Sequence, residues 1–219
     1  MSWSEVFYPG NSERREQLIR KSQQFTDLME GNFDATNDLI EVLNKYLGFS
    51  FSPVTLNEKG TLKQNCDVLI QHIHEIQAQI QTFDKELKEK LDPVAYEKLK
   101  KMDLILPEQA KIVKDTVGVG GSVVVVVVGW LLKSRFVLES VVSQIRYIGS
   151  TTIGSVVLGV VFLGIDMIAG AIMGSIERDQ LEKALKEYDS ALDEFKPASK
   201  KYQYRVTEFK ARIHMMGEQ

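Results

Sequence analysis

Cysteine is almost missing from this chain. Cys66 is the only one in 219 residues, which excludes an intramolecular disulfide framework and any multi-cysteine metal site. An excess of either charge is missing too. Twenty-seven Lys and Arg stand against 30 Asp and Glu, for a net charge of −3. That balance excludes a strongly basic nucleic-acid binder and a strongly acidic disordered tail. No Asn-x-Ser/Thr acceptor occurs, so nothing marks the chain as glycosylated or secreted. The opening run MSWSEVFYPGNSERR lacks the apolar core of a signal peptide. The length allows one or two domains and a sizeable core.

What is present is unevenly distributed. Thr116–Leu132, TVGVGGSVVVVVVGWLL, carries no charge over 17 residues, and Tyr147–Ile176 is interrupted only by Asp166. Residues 1–115 hold 15 basic and 19 acidic side chains, and residues 177–219 hold nine of each. The pattern divides the chain into an N-terminal helical or coiled-coil region (1–115), a Gly/Val-rich apolar segment with a basic connector (116–146), an apolar helix (147–176, core about 155–175) and a C-terminal coiled-coil helix (177–219). A bilayer core takes roughly 20 apolar residues as helix, with a lower limit near 17. Ser155–Ser175 passes on length. Its ten Val, Leu, Ile and Phe residues sum to roughly −3 to −6 kcal/mol of insertion free energy, of which Asp166 removes about 2.5 to 3.5. The expectation is an integral membrane protein with a transmembrane helix at 155–175, or a transmembrane hairpin if 116–132 also enters. The competing reading keeps both segments as a buried hairpin in a helical bundle.

The polar regions are helical seams. Leu62, Cys66, Leu69, Ile73, Ile76, Ile80, Phe83 and Leu87 alternate spacings of four and three, a heptad seam with charged and amide residues between. Asp92-Pro93 stops or kinks that helix. Leu181, Leu185, Tyr188, Leu192, Phe195, Ser199, Tyr202, Val206, Phe209, Ile213 and Met216 repeat the spacing. Two faults interrupt this second seam: Ser199 at a core position and Pro197 inside the helix. An earlier amphipathic helix over 12–48 uses Asn11 or Ser12 as its cap and Gly48 as its stop. The helices at 12–48 and 58–91 are expected to pack as an antiparallel pair, and Ile105–Val113 reads as a further amphipathic stretch. The fold class is all-α, with long amphipathic coiled-coil helices flanking the transmembrane segment.

Candidate sites are few. On one helix Ser155, Gly159, Asp166 and Gly170 fall within about 60° of one another, with Gly174 at the edge. Small residues allow close helix approach and a protonated Asp166 hydrogen-bonds across it, so the stripe reads as a transmembrane association face. Gly118-Val119-Gly120-Gly121-Ser122 lacks the lysine of a phosphate loop and reads as close-packed glycine. His72 and His74 lie about 200° apart around a helix and cannot ligate one metal. Cys66 behaves as a small seam hydrophobe, and His214 belongs to no Ser/His/Asp or His-Glu-x-x-His grouping. No catalytic residue, cofactor or metal site is expected, and the chain is not expected to be an enzyme.

The blocks YPGNSERREQLIR, NFDATNDLIEVLNKYLG, GTLKQNCDVLIQHI, GIDMIAGAIMG and EFKPASKKY occur in that order across nearly the whole chain. They resemble the single-pass membrane and coiled-coil domain-containing proteins; the departure is greatest over 117–135. The resemblance implies one membrane pass near 155–175, residues 116–132 outside the bilayer, a coiled coil and no activity. From the apolar segments and seams, the expected partners are the lipid bilayer and a protein partner or second copy held through coiled coils, with neither nucleic acid nor a small-molecule substrate. The expected role is a membrane anchor or scaffold acting through helix–helix association. The alternative is a conditional membrane-inserting or pore-forming protein with a sheltered hydrophobic hairpin.

Overall fold

Helical periodicity dominates the sequence, and the computed structural model, which describes residues 10–101, 122–155, 158 and 170–217, contains no strand among them. Helix α1 spans Asn11–Leu47 between two glycines in the left-handed region, Gly10 (φ 97°) and Gly48 (φ 69°). Gly48 is the stop read from the sequence. The start differs: Gly10 occupies the cap position with no side-chain cap, because the Asn11 side chain is turned into the interior.

Helix α2, Leu62–Lys90, opens on a capping box. The Gln64 N–H donates to Thr61 Oγ1 at 3.2 Å, and the Thr61 N–H donates to Gln64 Oε1 at 2.7 Å. Two of the helix's first free N–H groups are thereby satisfied. The heptad seam then buries every expected position except Phe83, which is half-buried. The Asp92 carboxylate accepts the N–H groups of Val94 and Ala95, each at 3.0 Å. Pro93 supplies the first residue of α3, Pro93–Lys101, where a missing N–H costs nothing.

Six consecutive valines suit a strand by propensity, yet they enter α4, Ser122–Ser150. The apolar run and the basic stretch after it therefore belong to one helix. Val127, Val128, Trp130, Leu131 and Leu132 are buried, and Leu138, Val141, Val142, Ile145 and Ile148 continue a one-sided apolar face. A 3₁₀ turn follows at Thr152–Ser155. Helix α5, Gly170–Gly217, runs without interruption through Pro197.

The pairing departs from expectation. Arg14 meets Glu182, Phe25 meets Tyr188 and Phe195, Asn32 meets Ser199, and Lys210 meets Asp38. Positions rise together on both helices, so α1 and α5 are parallel. Gly149 near the end of α4 lies against Cys66 near the start of α2, and Leu132 shares a small cavity with Ile80. These helices are antiparallel. Trp130, early in α4, stacks on Phe209, late in α5. A parallel course would carry α4 past the end of α5, so α4 runs against it and α1, α2 and α5 share one direction. The expected antiparallel pairing of α1 with α2 is thus corrected. Its cause is the loop at 48–61, which doubles back along α1. There Asn44 exchanges two hydrogen bonds of 2.9 Å with Phe51. Asn37 holds Val54 in the same way, at 2.9 and 2.8 Å.

The membrane expectation is corrected too. Among the described residues, no helix is long and apolar enough to cross a membrane. Past Leu132, α4 carries Arg135, Glu139 and Arg146, and its apolar face is covered by protein instead of lipid. That finding overturns the assignment as an integral membrane protein. The first arm of the expected hairpin lies partly within α4. Most of 155–175 and the stretch Ile105–Val113 lie outside the described residues.

Candidate functional site

The most extensive interface among the described helices, α1 against α5, supplies the candidate site. Its middle is apolar and aromatic: Phe25 stacks on Phe195 at 5.8 Å and meets the Tyr188 ring edge-on at 5.7 Å. Ser199, a fault in the seam by sequence, is fully buried here and receives the Asn32 Nδ2–H at 3.0 Å. Asn32 Oδ1 in turn accepts from Gln203 Nε2 at 3.1 Å. One turn on, Thr36 Oγ1 gives its proton to the Asn32 carbonyl at 2.7 Å and lies 2.9 Å from the Tyr202 hydroxyl. With its own proton committed, Thr36 serves as the acceptor and Tyr202 as the donor. Burial pushes the Tyr202 hydroxyl pKa up, against a smaller lowering by the Thr36 bond. Gly31 makes room for this layer, since a Cβ there would stand 2.6 Å from Gln203 Nε2.

The layer has a physical purpose in a heptad seam. A slip of seven residues would leave apolar positions facing apolar ones, and only the polar groups would lose their partners. A buried polar group left unmatched costs about 1–3 kcal/mol, so one register is selected. Asn32→Ala removes the donor to Ser199 and one of the two acceptors of Gln203, which keeps its bond to the Leu28 carbonyl. Urea unfolding should show a loss of about 1–3 kcal/mol, whereas exposed Thr207→Ala stays within about 0.5 kcal/mol. Equal midpoints for the two variants would refute the register role.

Toward the ends of the two helices, an open groove of about 340 Å³ lies between them. Asp38, Glu41, Val42 and Lys45 line it from α1, and Thr207, Lys210, Ala211 and His214 line it from α5. Each set follows three- and four-residue spacing, so the groove has two matched helical walls. Lys210 Nζ donates to Asp38 Oδ1 at 2.6 Å and to Glu41 Oε2 at 3.1 Å, crossing from one wall to the other. Those two bonds raise the Lys210 pKa, with burial acting in the opposite direction. Lys45 Nζ stands 5.0 Å from the Tyr46 ring centroid. The arrangement holds charge of both signs around a floor that includes buried Val42. It suits recognition of a helix better than chemistry on a small molecule.

The residues singled out from sequence lie elsewhere. Ser155 is exposed in the 3₁₀ turn, Gly170 begins α5 and Gly174 opens its second turn. Gly159 and Asp166 lie outside the described residues, and so does the association stripe as a unit. Cys66 is buried in the α2 seam as read. His214 lies in the groove wall, which its sequence surroundings did not indicate. The groove itself was missed, because Asp38, Glu41 and Lys210 look like any solvated helix charges until two helices bring them together. Among the described residues, no three of His, Cys, Asp and Glu gather where they could hold a metal ion.

Fold and site together define an all-α bundle whose N- and C-terminal helices form a parallel, register-locked pair. Residues 14–170 match the family described as "Protein of unknown function (DUF4533)", and the chain belongs to that family. That description names neither an activity nor a membrane pass, so the resemblance to single-pass proteins stands on the quoted blocks alone. No solved structure matches the chain.

Proposed function

We propose that this protein is a non-catalytic helical scaffold that works by helix–helix association with a protein partner. The observation carrying the proposal is the groove between α1 and α5, whose walls repeat at helical spacing and carry both charges. A partner helix laid there would contact apolar floor and charged rims at once. The absence of a catalytic role is part of the same reading. It is supported by the engagement of the groove's Lys210 with two carboxylates and by the burial of the Cys66 thiol.

Two exposed positions on the α5 wall, Thr207 and Ala211, allow the groove to be filled without touching the core. Thr207→Arg with Ala211→Arg should reduce proximity labelling of bound proteins in cells at least about tenfold, the equivalent of about 1.4 kcal/mol. Helix content by circular dichroism should stay the same. A labelled set identical to that of the unaltered chain would remove the groove from the account.

A further inference from the structure

The helix joints of this bundle differ in chemistry. The α2–α4 joint is a run of aliphatic side chains: Leu69, Ile73, Ile76 and Ile80 on α2, and Leu138, Val141, Val142 and Ile145 on α4. Four ion pairs join α1 to α5. They are Arg14 with Glu182 at 2.9 Å, Lys21 with Asp189, and Lys210 with Asp38 and Glu41. The ion pairs placed on the other helices bridge residues of one helix, such as Lys63 with Asp67 and Arg135 with Glu139. The α1–α5 joint also gives part of its seam to the Asn32, Ser199 and Gln203 layer, which holds register at the expense of apolar area.

We propose that the α1–α5 joint is an electrostatically adjustable clasp, loosening with ionic strength while the α2–α4 joint stays closed. The inference rests on the scaffold reading above and supplies its regulation, because loosening α5 uncovers the α1 seam to a competing helix. The pairs bridging the joint are partly solvent-exposed, with side-chain exposures from 22% to 66%. Exposed pairs are individually weak and are screened as the Debye length falls from about 10 Å at 0.1 M salt to about 3 Å at 1 M. Their exposure to solvent is what makes the joint sensitive to salt. Loosening also affects α4, since Trp130 is covered by Phe209 of α5 at a ring distance of 4.1 Å.

Hydrogen exchange of the full chain, resolved by peptide, tests the clasp. Arg14→Gln, Lys21→Gln and Lys210→Gln in one chain remove the cationic side of every bridging pair named above. In low salt, this variant should lose protection about three- to tenfold in α1 and α5, with α2 unchanged. Raising salt from 0.05 to 1 M should bring the unaltered chain to the same pattern and leave the variant where it was. In a Trp3→Phe background, acrylamide quenching of Trp130 should rise in step. Equal loss of protection in α2 and α5 would overturn the proposal, because the bundle would then open as one unit. Protection unaffected by both variant and salt would overturn it as well. Neither outcome bears on partner labelling through the groove, so failure of the clasp and failure of the scaffold reading are separable.

Discussion

Phe25→Ala should lower the unfolding free energy by about 3–5 kcal/mol, the range for removing a large aromatic side chain from a packed core. Phe25 is 2% exposed and lies between two aromatic partners on the facing helix, stacked on Phe195 and edge-on to Tyr188. Its removal leaves a void flanked by rigid rings on a helix fixed in register by the polar layer, so the site cannot collapse by sliding. The matched control is Phe136→Ala on α4. Phe136 is 77% exposed, and its truncation should fall within about 0.5 kcal/mol. Urea unfolding followed by circular dichroism separates the two. Similar losses for both would mean that α1 and α5 are not packed through Phe25.

Alkylation of Cys66 is the second large effect. Burial first and the Asp67 charge second, opposed by Lys63, push its thiol up to about 12. An unfolded cysteine titrates near about 8.5. At pH 8 the reactive thiolate is then about one part in 10⁴ of the folded chain, against about a quarter of the unfolded one. Iodoacetamide should modify the native protein at least about a thousandfold more slowly than the urea-unfolded chain. Because the folded pKa is raised, the stabilisation from the neutral thiol is complete below the unfolded value. It declines as pH climbs from about 8.5 toward about 12. Cys66→Ala should remove that part of the alkaline decline. A native rate within tenfold of the unfolded one would place the thiol at the surface.

Much of the helical content was legible because a heptad is a strong periodic signal. Residues 62–87 and 181–209 declared their buried faces from spacing alone, and Gly48 declared a stop. Partner and direction were not legible. Periodicity says that a face is apolar, not which other face covers it, and the turning-back of the chain depends on two asparagines, Asn37 and Asn44, gripping a loop. The same limit explains the membrane expectation. A helix buried in protein and a helix buried in lipid share an apolar composition, and composition alone has no means of telling them apart. The polar layer was half visible, in that Ser199 stood out as a fault. Its hydrogen-bond partner Asn32 lies 167 positions away, beyond the reach of any local pattern. The groove walls were invisible for the same reason.

The parallel pairing of the first and last helices also has a consequence on the ribosome. Arg14 and its partner Glu182 are separated by 168 positions. Synthesis at about 5–20 residues per second puts roughly 8–34 s between the emergence of one and the other. During that interval Leu18, Phe25, Met29 and Leu39, all destined for burial, have no α5 to cover them. Over that interval the nascent chain carries an uncovered apolar stripe, the condition under which holding chaperones bind and neighbouring nascent chains on a polysome adhere. Closure of α1 therefore waits for the 48 residues of α5, Gly170–Gly217, which emerge after every other described helix.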